Sequence, residues 1–341
     1  MSDLLRTTIA GSLPRPVWLA EPEALKGAWK LSGEALEDGK RQAATEWIAH
    51  QEEANIDILT DGEVFRTHFV HAFLEGIDGI DQDKKTLMGI RDNRYDLEVP
   101  TVTGSLSRPK SVHVDDFKFV RSLTDRTLKF TLPGPMTICD TIADAHYGSR
   151  PKMAMAFAEL LNAEAKELEA AGADIIQFDE PAFNVFFDDV NEWGIDTLHR
   201  AIEGLTCTTA VHICYGYGIE ENLKWKETLG DEWRQYEKIF PALNESKIDQ
   251  ISLECADSHV PHSVMGILKD KMVMVGAVAV TPDKVETPEE VAATIRSAIE
   301  YVDPERILPC TNCGMTPIPY DIALGKLHSL SAGAAIVRST L

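Results

Sequence analysis

Short apolar runs alternate with amphipathic stretches along the whole chain. Turn-forming or polar residues bound each run, as expected of buried strands. The stretches between the runs, for example residues 154–173 and 287–302, repeat their apolar side chains with helical spacing. The pattern therefore predicts eight strands, which are residues 7–12, 56–63, 128–135, 174–181, 208–216, 249–256, 272–278 and 306–314.

Eight strands, most of them followed by a helix, predict an α/β fold of the (β/α)₈ TIM-barrel type. A doubly wound open sheet is the alternative, but no G-x-G-x-x-G turn follows the first run. The 341 residues are 44% hydrophobic, which is enough for one barrel or for two ordinary domains. We predict a single barrel domain over residues 1–341. Thr287, Pro288 and Glu290 form a capping-box pattern that marks the start of one helix.

The alternation of strand and helix patterns is interrupted at residues 83–114. These residues alternate polar and apolar side chains, carry turn-forming residues and lack helical spacing. The pattern predicts an antiparallel β excursion that lies over one mouth of the barrel.

Charge and composition limit the binding partners and the cellular compartment that we expect. The formal net charge of −22 argues against nucleic acid and anionic membranes as main partners. No apolar run approaches the ~20 residues that span a bilayer, and the polar N-terminus does not resemble a secretion signal. We therefore expect a cytoplasmic protein, where its six cysteines stay reduced and serve as buried thiols, metal ligands or catalysts.

Nearly every predicted strand ends in reactive side chains. In barrels of this type the active site lies at the carboxyl ends of the strands. Purely structural polar groups would occur at both ends equally often, so their concentration at one end favours a functional site. The tips are Gly11-Ser12, Asp61-Gly62-Glu63, Gly134-Pro135, Asp179-Glu180-Pro181, His212-Ile213-Cys214, Glu254-Cys255 and Cys310-Thr311-Asn312-Cys313-Gly314.

His212 and Cys214 share one strand face because they are two residues apart. An isolated pair of this kind is more commonly a buried histidine beside an inert thiol. Glu254 is costly to bury unpaired, but at the mouth it can meet a cation. The C-x-x-C motif at 310–313 can be a redox pair or half of a Cys₄ zinc site, yet no second C-x-x-C exists. We expect Cys313 to join the set and Cys310 to be buried.

The set His212, Cys214, Glu254 and Cys313 suits tetrahedral zinc, which accepts sulfur, nitrogen and oxygen ligands. Two thiolates and a carboxylate outweigh the charge of Zn²⁺. Such an electron-rich centre acidifies water poorly, but it can hold an added thiol as a nucleophilic thiolate. The ligand set therefore favours alkylation of a thiol over hydrolysis.

These motifs, in this order, resemble the cobalamin-independent methionine synthases. The resemblance is to the catalytic C-terminal barrel of that family, which also exists as a short "core" form. It runs from "TTIAGSLPRP" to "TNCGM" and includes "DGE", "GPMTI", "QFDEPA" and "HICYG". The 341 residues leave no room for the second, N-terminal barrel of the full-length members.

The resemblance implies zinc on His212, Cys214, Glu254 and Cys313. It also implies homocysteine held by the Gly11-Ser12 turn, Glu63 and Asp179. The chemistry agrees, because an ammonium group pairs with carboxylates and a carboxylate pairs with backbone N–H and hydroxyl donors. Glu63 and Asp179 are therefore the predicted catalytic and substrate-binding carboxylates. The alternative for Asp179-Glu180-Pro181 is a purely structural role as a polar cap that ends the strand.

The sequence lacks features that the folate-using members have around the pterin ring. Those members carry a tryptophan soon after "GP.TI", whereas this chain has no aromatic residue there before Tyr147. Val185 stands where they have an acidic residue, and Ala279 and Thr281 stand where they have an aspartate and a histidine. We therefore expect a homocysteine methyltransferase whose methyl donor is not an ordinary methyl-folate.

Four other functions remain open. One is an ordinary folate-dependent methionine synthase. Another is a zinc methyltransferase that takes its methyl group from a corrinoid protein or a small compound and uses another thiol. The remaining two are a barrel that binds zinc or a thiol without turnover and a zinc hydrolase. The expected partners are homocysteine and an unknown donor, with delivery by a partner protein as one route.

Overall fold

The computed structural model describes residues 4–22 and 27–341. In this part of the chain the strands, numbered in order, are β1 (Ile58–Thr60), β2 (Asp78–Ile90), β3 (Tyr95–Ser107), β4 (Thr127–Pro133), β5 (Ala143–Asp144), β6 (Ile175–Asp179), β7 (Thr208–His212), β8 (Gln250–Glu254), β9 (Met272–Val278) and β10 (Ile307–Thr311).

The helices of the same part of the chain are α1 (Gly33–Glu53), α2 (His71–Leu74), α3 (Val114–Arg121), α4 (Pro135–Asp140), α5 (Arg150–Ala170), α6 (Phe187–Asp189), α7 (Ile195–Ala201), α8 (Glu220–Glu227), α9 (Phe240–Glu245), α10 (Pro288–Ile299) and α11 (Tyr320–Arg338). Short 3₁₀ turns cover Pro181–Asn184, Gln235–Lys238, His262–Ile267 and Pro304–Arg306, and a π-helical turn covers Val190–Gly194.

Seven parallel strands form one curled sheet in the order β1-β4-β6-β7-β8-β9-β10. The segment 7–13 lies between the two edge strands and closes the circle. On one side Ile58 N donates to Thr7 O at 2.9 Å, and on the other Thr8 N donates to Pro309 O at 3.0 Å. The predicted fold of the TIM-barrel type is therefore confirmed.

The prediction of a regular strand at 7–12 is wrong, because this segment is bonded partly through side chains. Ala10 N donates to Thr311 Oγ1 at 2.9 Å, and Thr60 Oγ1 donates to Gly11 O at 2.7 Å. Two threonine hydroxyls thus replace ladder bonds between backbones. The chain occupies the eighth position of the barrel without a continuous β ladder.

The predicted antiparallel excursion is present as the β2–β3 hairpin. A third strand, β5, pairs with β3 in parallel. The hairpin begins at Asp78 and ends at Ser107, earlier at both ends than the predicted 83–114. The pairing shifts register twice, between Asp78 and Ile80 and between Asp81 and Thr86. These irregularities obscure the period-2 pattern at the start of β2, which explains the late predicted boundary.

The helices cover the outside of the sheet, and α10 shows why the sequence forms them. Thr287 Oγ1 accepts from Glu290 N at 3.2 Å, and Glu290 Oε2 accepts from Thr287 N at 2.7 Å, so the predicted capping box is confirmed. The buried face of α10 includes Val291 and Ile295, four residues apart. Burying each such side chain contributes roughly 1.5–3 kcal/mol.

The barrel interior is divided along its axis. A separate apolar layer fills it away from the carboxyl ends of the strands, and this layer consists of Ile58, Ile175, Ala210, Met274, Leu308 and Cys310. Cys310 is buried there, as the sequence predicted. The candidate site residues therefore lie at the opposite mouth. Among the helices described, none combines the length and the apolar composition that crossing a membrane requires.

Candidate metal and substrate site

A cavity of about 400 Å³ opens at the carboxyl ends of the strands. Residues from several separate segments line it, because parallel strands bring their ends to one face of the barrel. Of the eight predicted site residues, all except Glu254 line this cavity: Gly11, Ser12, Glu63, Asp179, His212, Cys214 and Cys313.

His212, Cys214 and Cys313 form a compact group of potential metal ligands. One ligand atom of each lies within 4.8 Å of the others, and the two sulfur atoms are 3.2 Å apart. His212 ends β7, and its Nδ1 is 2.9 Å from Ser252 Oγ on β8. Its Nε2 is buried and has no hydrogen-bond partner among the described residues. The ring is thus held at one nitrogen, and the other is available to a ligand.

The two thiols are electrostatically different. The Cys313 thiol donates a hydrogen bond to Cys214 and thereby lowers the pKa of Cys214 well below its ordinary value, although burial acts in the opposite direction. His212 lowers that pKa further. This lowered pKa favours the thiolate form of Cys214, which is the form that binds metal ions.

Glu254 lies outside this group and is bonded to protein groups. Its Oε1 accepts from Tyr215 N at 2.5 Å, and its Oε2 accepts from the Tyr217 hydroxyl at 2.8 Å. Lys226 Nζ is 3.9 Å from Oε2. Burial raises the pKa of Glu254 to about 7, although Lys226 lowers it. The sequence predicted that this carboxylate meets a cation and included it among the zinc ligands, but it did not identify Tyr217 or Lys226 as partners.

Asp179 and Glu63 place two carboxyl groups on the cavity wall. Asp179 ends β6, and its Oδ1 accepts from Gln177 Nε2 at 2.7 Å. Burial, more than any other effect, raises the pKa of Asp179 to about 7. Glu63 follows β1 with a left-handed φ of 56°, and its Oε1 accepts from Thr131 Oγ1 at 2.8 Å.

Arg66 supports this part of the site from behind and was not singled out from the sequence. Its Nη2 is 3.2 Å from Asp61 Oδ2 and its Nη1 donates to Thr131 Oγ1 at 3.0 Å. The same Nη1 is 3.8 Å from Glu63 Oε1. An arginine three residues after "DGE" is the available signal, since buried acidic groups need a buried cation.

Two glycines are required by close approach at this wall. A Cβ at Gly11 would lie 2.7 Å from Glu63 Oε1, and a Cβ at Gly314 would lie 2.2 Å from Ser12 Oγ. A side chain at either position would therefore force Glu63 or Ser12 to move. The Gly11-Ser12 turn is therefore packed directly against the carboxylate and against the loop that carries Cys313.

The outer part of the cavity is formed by elements beyond the strand ends. Arg91, Arg94 and Tyr95 come from the hairpin tip, and Trp225 comes from α8. Val185 lines the cavity as well, whereas neither Ala279 nor Thr281 is part of its lining. The mouth thus has a carboxylate-rich inner wall and an outer wall of arginine and aromatic side chains.

The fold and the site together define a class, which is a barrel enzyme of the TIM type with a His-Cys-Cys group beside buried carboxylates. Residues 5–335 match the family described as "Cobalamin-independent synthase, Catalytic domain". The chain therefore belongs to the cobalamin-independent methionine synthase family. The predicted family and the predicted methyltransferase activity of the methionine synthase type are confirmed.

Relatives extend over nearly the whole chain. A B12-independent methionine synthase from Shewanella sp. W3-18-1, solved in complex with selenomethionine, is 59% identical with a TM-score of 0.96, covering 99% of this chain and 98% of that one. Methionine synthases from Sulfolobus acidocaldarius and Saccharolobus solfataricus are 33% and 34% identical; the alignments cover 100% and 99% of this chain and 95% and 96% of those proteins.

Proposed function

We propose that this protein transfers a methyl group to the sulfur of homocysteine with the help of zinc. The observation that carries the proposal is the union, in one cavity, of a His-Cys-Cys group with two buried carboxylates. The first can hold a thiophilic ion, and the second can hold an amino group. A substrate that carries both a thiol and an amino group matches this pair of subsites.

The residues present fit zinc. His212 Nε2 is a buried nitrogen without a hydrogen-bond partner among the described residues. The Cys214 sulfur lies 3.2 Å from the Cys313 sulfur, and the pKa of Cys214 is lowered, which favours its thiolate form. Sulfur and imidazole ligands are the ones that zinc selects. We propose that these three residues hold the ion. Glu254, the fourth predicted ligand, remains a proposal, since it is bonded to Tyr215 and Tyr217.

Zinc bound there would supply a site that takes up a thiol as a thiolate without removing its nucleophilicity. The protein groups orient the rest of the amino acid. Asp179 and Glu63 attract the ammonium group, and Gln177 holds the Asp179 carboxyl in place at 2.7 Å. The Ser12 hydroxyl and the turn around it offer donors to the substrate carboxylate.

The proposed methyl donor is not an ordinary methyl-folate. Val185 gives the cavity an apolar wall where folate-using members have an acidic residue, and Ala279 and Thr281 supply no proton donor to the lining. The donor is therefore another methyl carrier, and a partner protein is one route for its delivery to the open mouth. A cytoplasmic location stays a prediction.

The direct test is to load the purified protein with zinc and to supply homocysteine with a panel of methyl donors. The panel contains methyl-folates, methylated corrinoids, and small sulfonium and ammonium compounds, with methionine as the readout. Homocysteine binding is measured in parallel by calorimetry. Methionine formed with a donor other than a methyl-folate supports the proposal, and efficient turnover with methyl-folate would contradict its donor part. Zinc-loaded protein that does not bind homocysteine would contradict the proposal as a whole.

A further inference from the structure

The hairpin tip and α8 build a second compartment of the cavity, away from the metal group. Arg94, at the end of the tip, is half-buried, and its guanidinium carbon lies 3.4 Å from the centre of the Trp225 ring. Its Nη1 donates to Asn222 Oδ1 at 3.1 Å. Trp225 stacks in turn on Tyr215, with ring centres 5.9 Å apart. The guanidinium is therefore fixed in one orientation by a ring stack and an amide.

Arg94 differs from its neighbour Arg91 in its charge partner. Arg91 is paired with Asp140, whose carboxylate also accepts from Arg91 N. No carboxylate of the described residues lies within ion-pair distance of Arg94. Burial and the nearby Arg91 charge lower the pKa of Arg94 to about 10, so it remains a cation at neutral pH. A fixed cation without a counter-ion therefore lines the outer cavity, in a protein whose net charge is −22.

We propose that Arg94, stacked on Trp225, binds an acidic group of the methyl donor, either a carboxylate or a phosphate. This inference rests on the proposed transfer to homocysteine and names the chemical class of the second substrate. A planar guanidinium with free N–H groups recognises either anion through two parallel hydrogen bonds.

The charges of the cavity also fix the orientation of such a donor. Asp179 and Glu63 at the inner wall repel an anion, and Arg94 at the outer wall attracts it. The acidic end of the donor therefore points towards the hairpin, and its methyl end points towards Cys214 and Cys313. Arg94 thus discriminates donors that carry an acidic group from neutral ones.

Glutarate and inorganic phosphate serve as probes, because the donor itself is unidentified. Each is titrated calorimetrically into the zinc-loaded protein with homocysteine already bound, and glutaramide serves as the neutral counterpart of glutarate. The variants are Arg94→Gln, Arg94→Lys, which keeps the charge, and the control Arg234→Gln, whose arginine is exposed and paired with Glu232 and Glu237. Circular dichroism verifies the fold of each variant.

We expect one or both anions, but not glutaramide, to bind the wild type. Arg94→Gln should lower the anion affinity at least tenfold, while its homocysteine affinity stays unchanged. Arg94→Lys should lose less anion affinity, and Arg234→Gln should lose none. Which anion binds better identifies the acidic group. Equal anion affinity in the wild type and Arg94→Gln, or no anion binding at all, overturns the inference, as does a parallel loss of homocysteine affinity in Arg94→Gln. A wild type that binds no homocysteine refutes instead the proposed function.

Discussion

At the scale of single residues, the surroundings decide which cysteines can bind a metal. The pKa of Cys214 is lowered by the hydrogen bond from Cys313 and by His212, whereas that same hydrogen bond and burial raise the pKa of Cys313. Burial raises the pKa of Cys255 and Cys310 as well, and neither of them belongs to the His-Cys-Cys group. Cys310 lies in the apolar layer below the site. Two chemically identical side chains in "CTNC" therefore have different roles, because only Cys313 reaches the mouth.

The first prediction concerns zinc content. The purified wild type should carry about one zinc per chain, and Cys214→Ser or Cys313→Ser should lose most of it, because a site of this kind needs its thiolates. The matched controls Cys255→Ala and Cys310→Ala should retain the metal. Atomic emission spectroscopy after gel filtration measures this. Loss of zinc in Cys310→Ala with retention in Cys313→Ser would show that the wrong cysteine of the motif was chosen.

The second prediction concerns the substrate ammonium group. Asp179→Asn should weaken homocysteine binding roughly 10- to 100-fold, since a hydrogen bond to a charged partner contributes about 1.5–3 kcal/mol. Zinc content should not change, because Asp179 is outside the metal group. Calorimetry with homocysteine is the measurement, and Asp188→Asn, at an exposed position, is the control. An unchanged affinity would exclude the assigned role.

The sequence predicted that His212, Cys214 and Cys313 lie together, as they do in the structure, but it did not predict the hydrogen-bond partners of Glu254. His212 and Cys214 follow from strand alternation, which acts within one short segment. Glu254 has partners from the loop after β7 and from α8, and such long-range neighbours leave no periodic signal. Burial of the carboxylate could be predicted, but the identity of its partner could not.

At the scale of elements, the same limit appears in the barrel wall. Seven of the eight predicted strands form, because an apolar run bounded by turns reports burial on both faces. The segment 7–12 has the same apolar pattern, but Thr60 and Thr311 provide side-chain bonds in place of a ladder. Hydrophobic pattern therefore predicts where a segment lies in the barrel better than how its backbone is bonded.

The third prediction concerns the anchoring of the β2–β3 hairpin. Asp140→Asn removes the charge partner of Arg91 and leaves a buried cation, which costs about 3 kcal/mol. We expect the tip to open more often, so that amide exchange near residues 88–97 accelerates roughly a hundredfold. Asp92→Asn is the control, because Asp92 is exposed in the same turn and asparagine tolerates its left-handed backbone. Exchange rates equal in the two variants would disprove the anchor.

The fourth prediction concerns the start of α3 and its pH dependence. Burial, with a smaller contribution from Arg66, lowers the pKa of His113 well below 6.5, and its ring lies between Phe73 and Phe130. Below pH 6.5, His113 binds a proton in the unfolded chain but not in the folded protein. The free energy of unfolding therefore falls as the pH decreases, by up to about 1.4 kcal/mol per unit from this group.

The measurement for His113 is urea unfolding at several pH values between 5 and 8. His113→Phe should gain stability relative to the wild type as the pH decreases, because phenylalanine does not titrate. His328→Phe, which changes an exposed histidine on α11, should show no such gain. Parallel stability curves for the wild type and His113→Phe would contradict the prediction.

At the scale of the whole molecule, the barrel separates stability from chemistry along its axis. The apolar layer closes one end, and the cavity at the other end combines two carboxylates with the arginines of the hairpin. The hairpin contributes Arg91, Arg94 and Tyr95 to the lining of the cavity. We therefore expect that changes in the hairpin can alter the choice of methyl donor without disturbing homocysteine binding. The sequence agrees, because it retains the family residues for zinc and homocysteine and lacks those for the pterin.

The last prediction concerns the methyl donor, and steady-state assays with methyl-folates and homocysteine test it. Without a stacking tryptophan the pterin loses on the order of 1 kcal/mol, and without an acidic residue at Val185 it loses roughly another 1.5–3 kcal/mol. Affinity should therefore be about a hundredfold weaker or more than in a site that has both. Thr281 cannot replace a histidine as a proton donor, which slows release of the folate nitrogen by roughly 10²-fold.

Val185→Asp provides the matched gain-of-function variant, because Val185 already lines the cavity. Restoring a carboxylate there should strengthen methyl-folate binding about tenfold or more, while homocysteine binding and zinc content stay unchanged. Turnover of the wild type should remain slow with mono- and polyglutamylated methyl-folates alike, since the missing groups face the pterin and not the glutamate tail. Rapid turnover with micromolar folate affinity in the wild type would return the chain to the folate-dependent class.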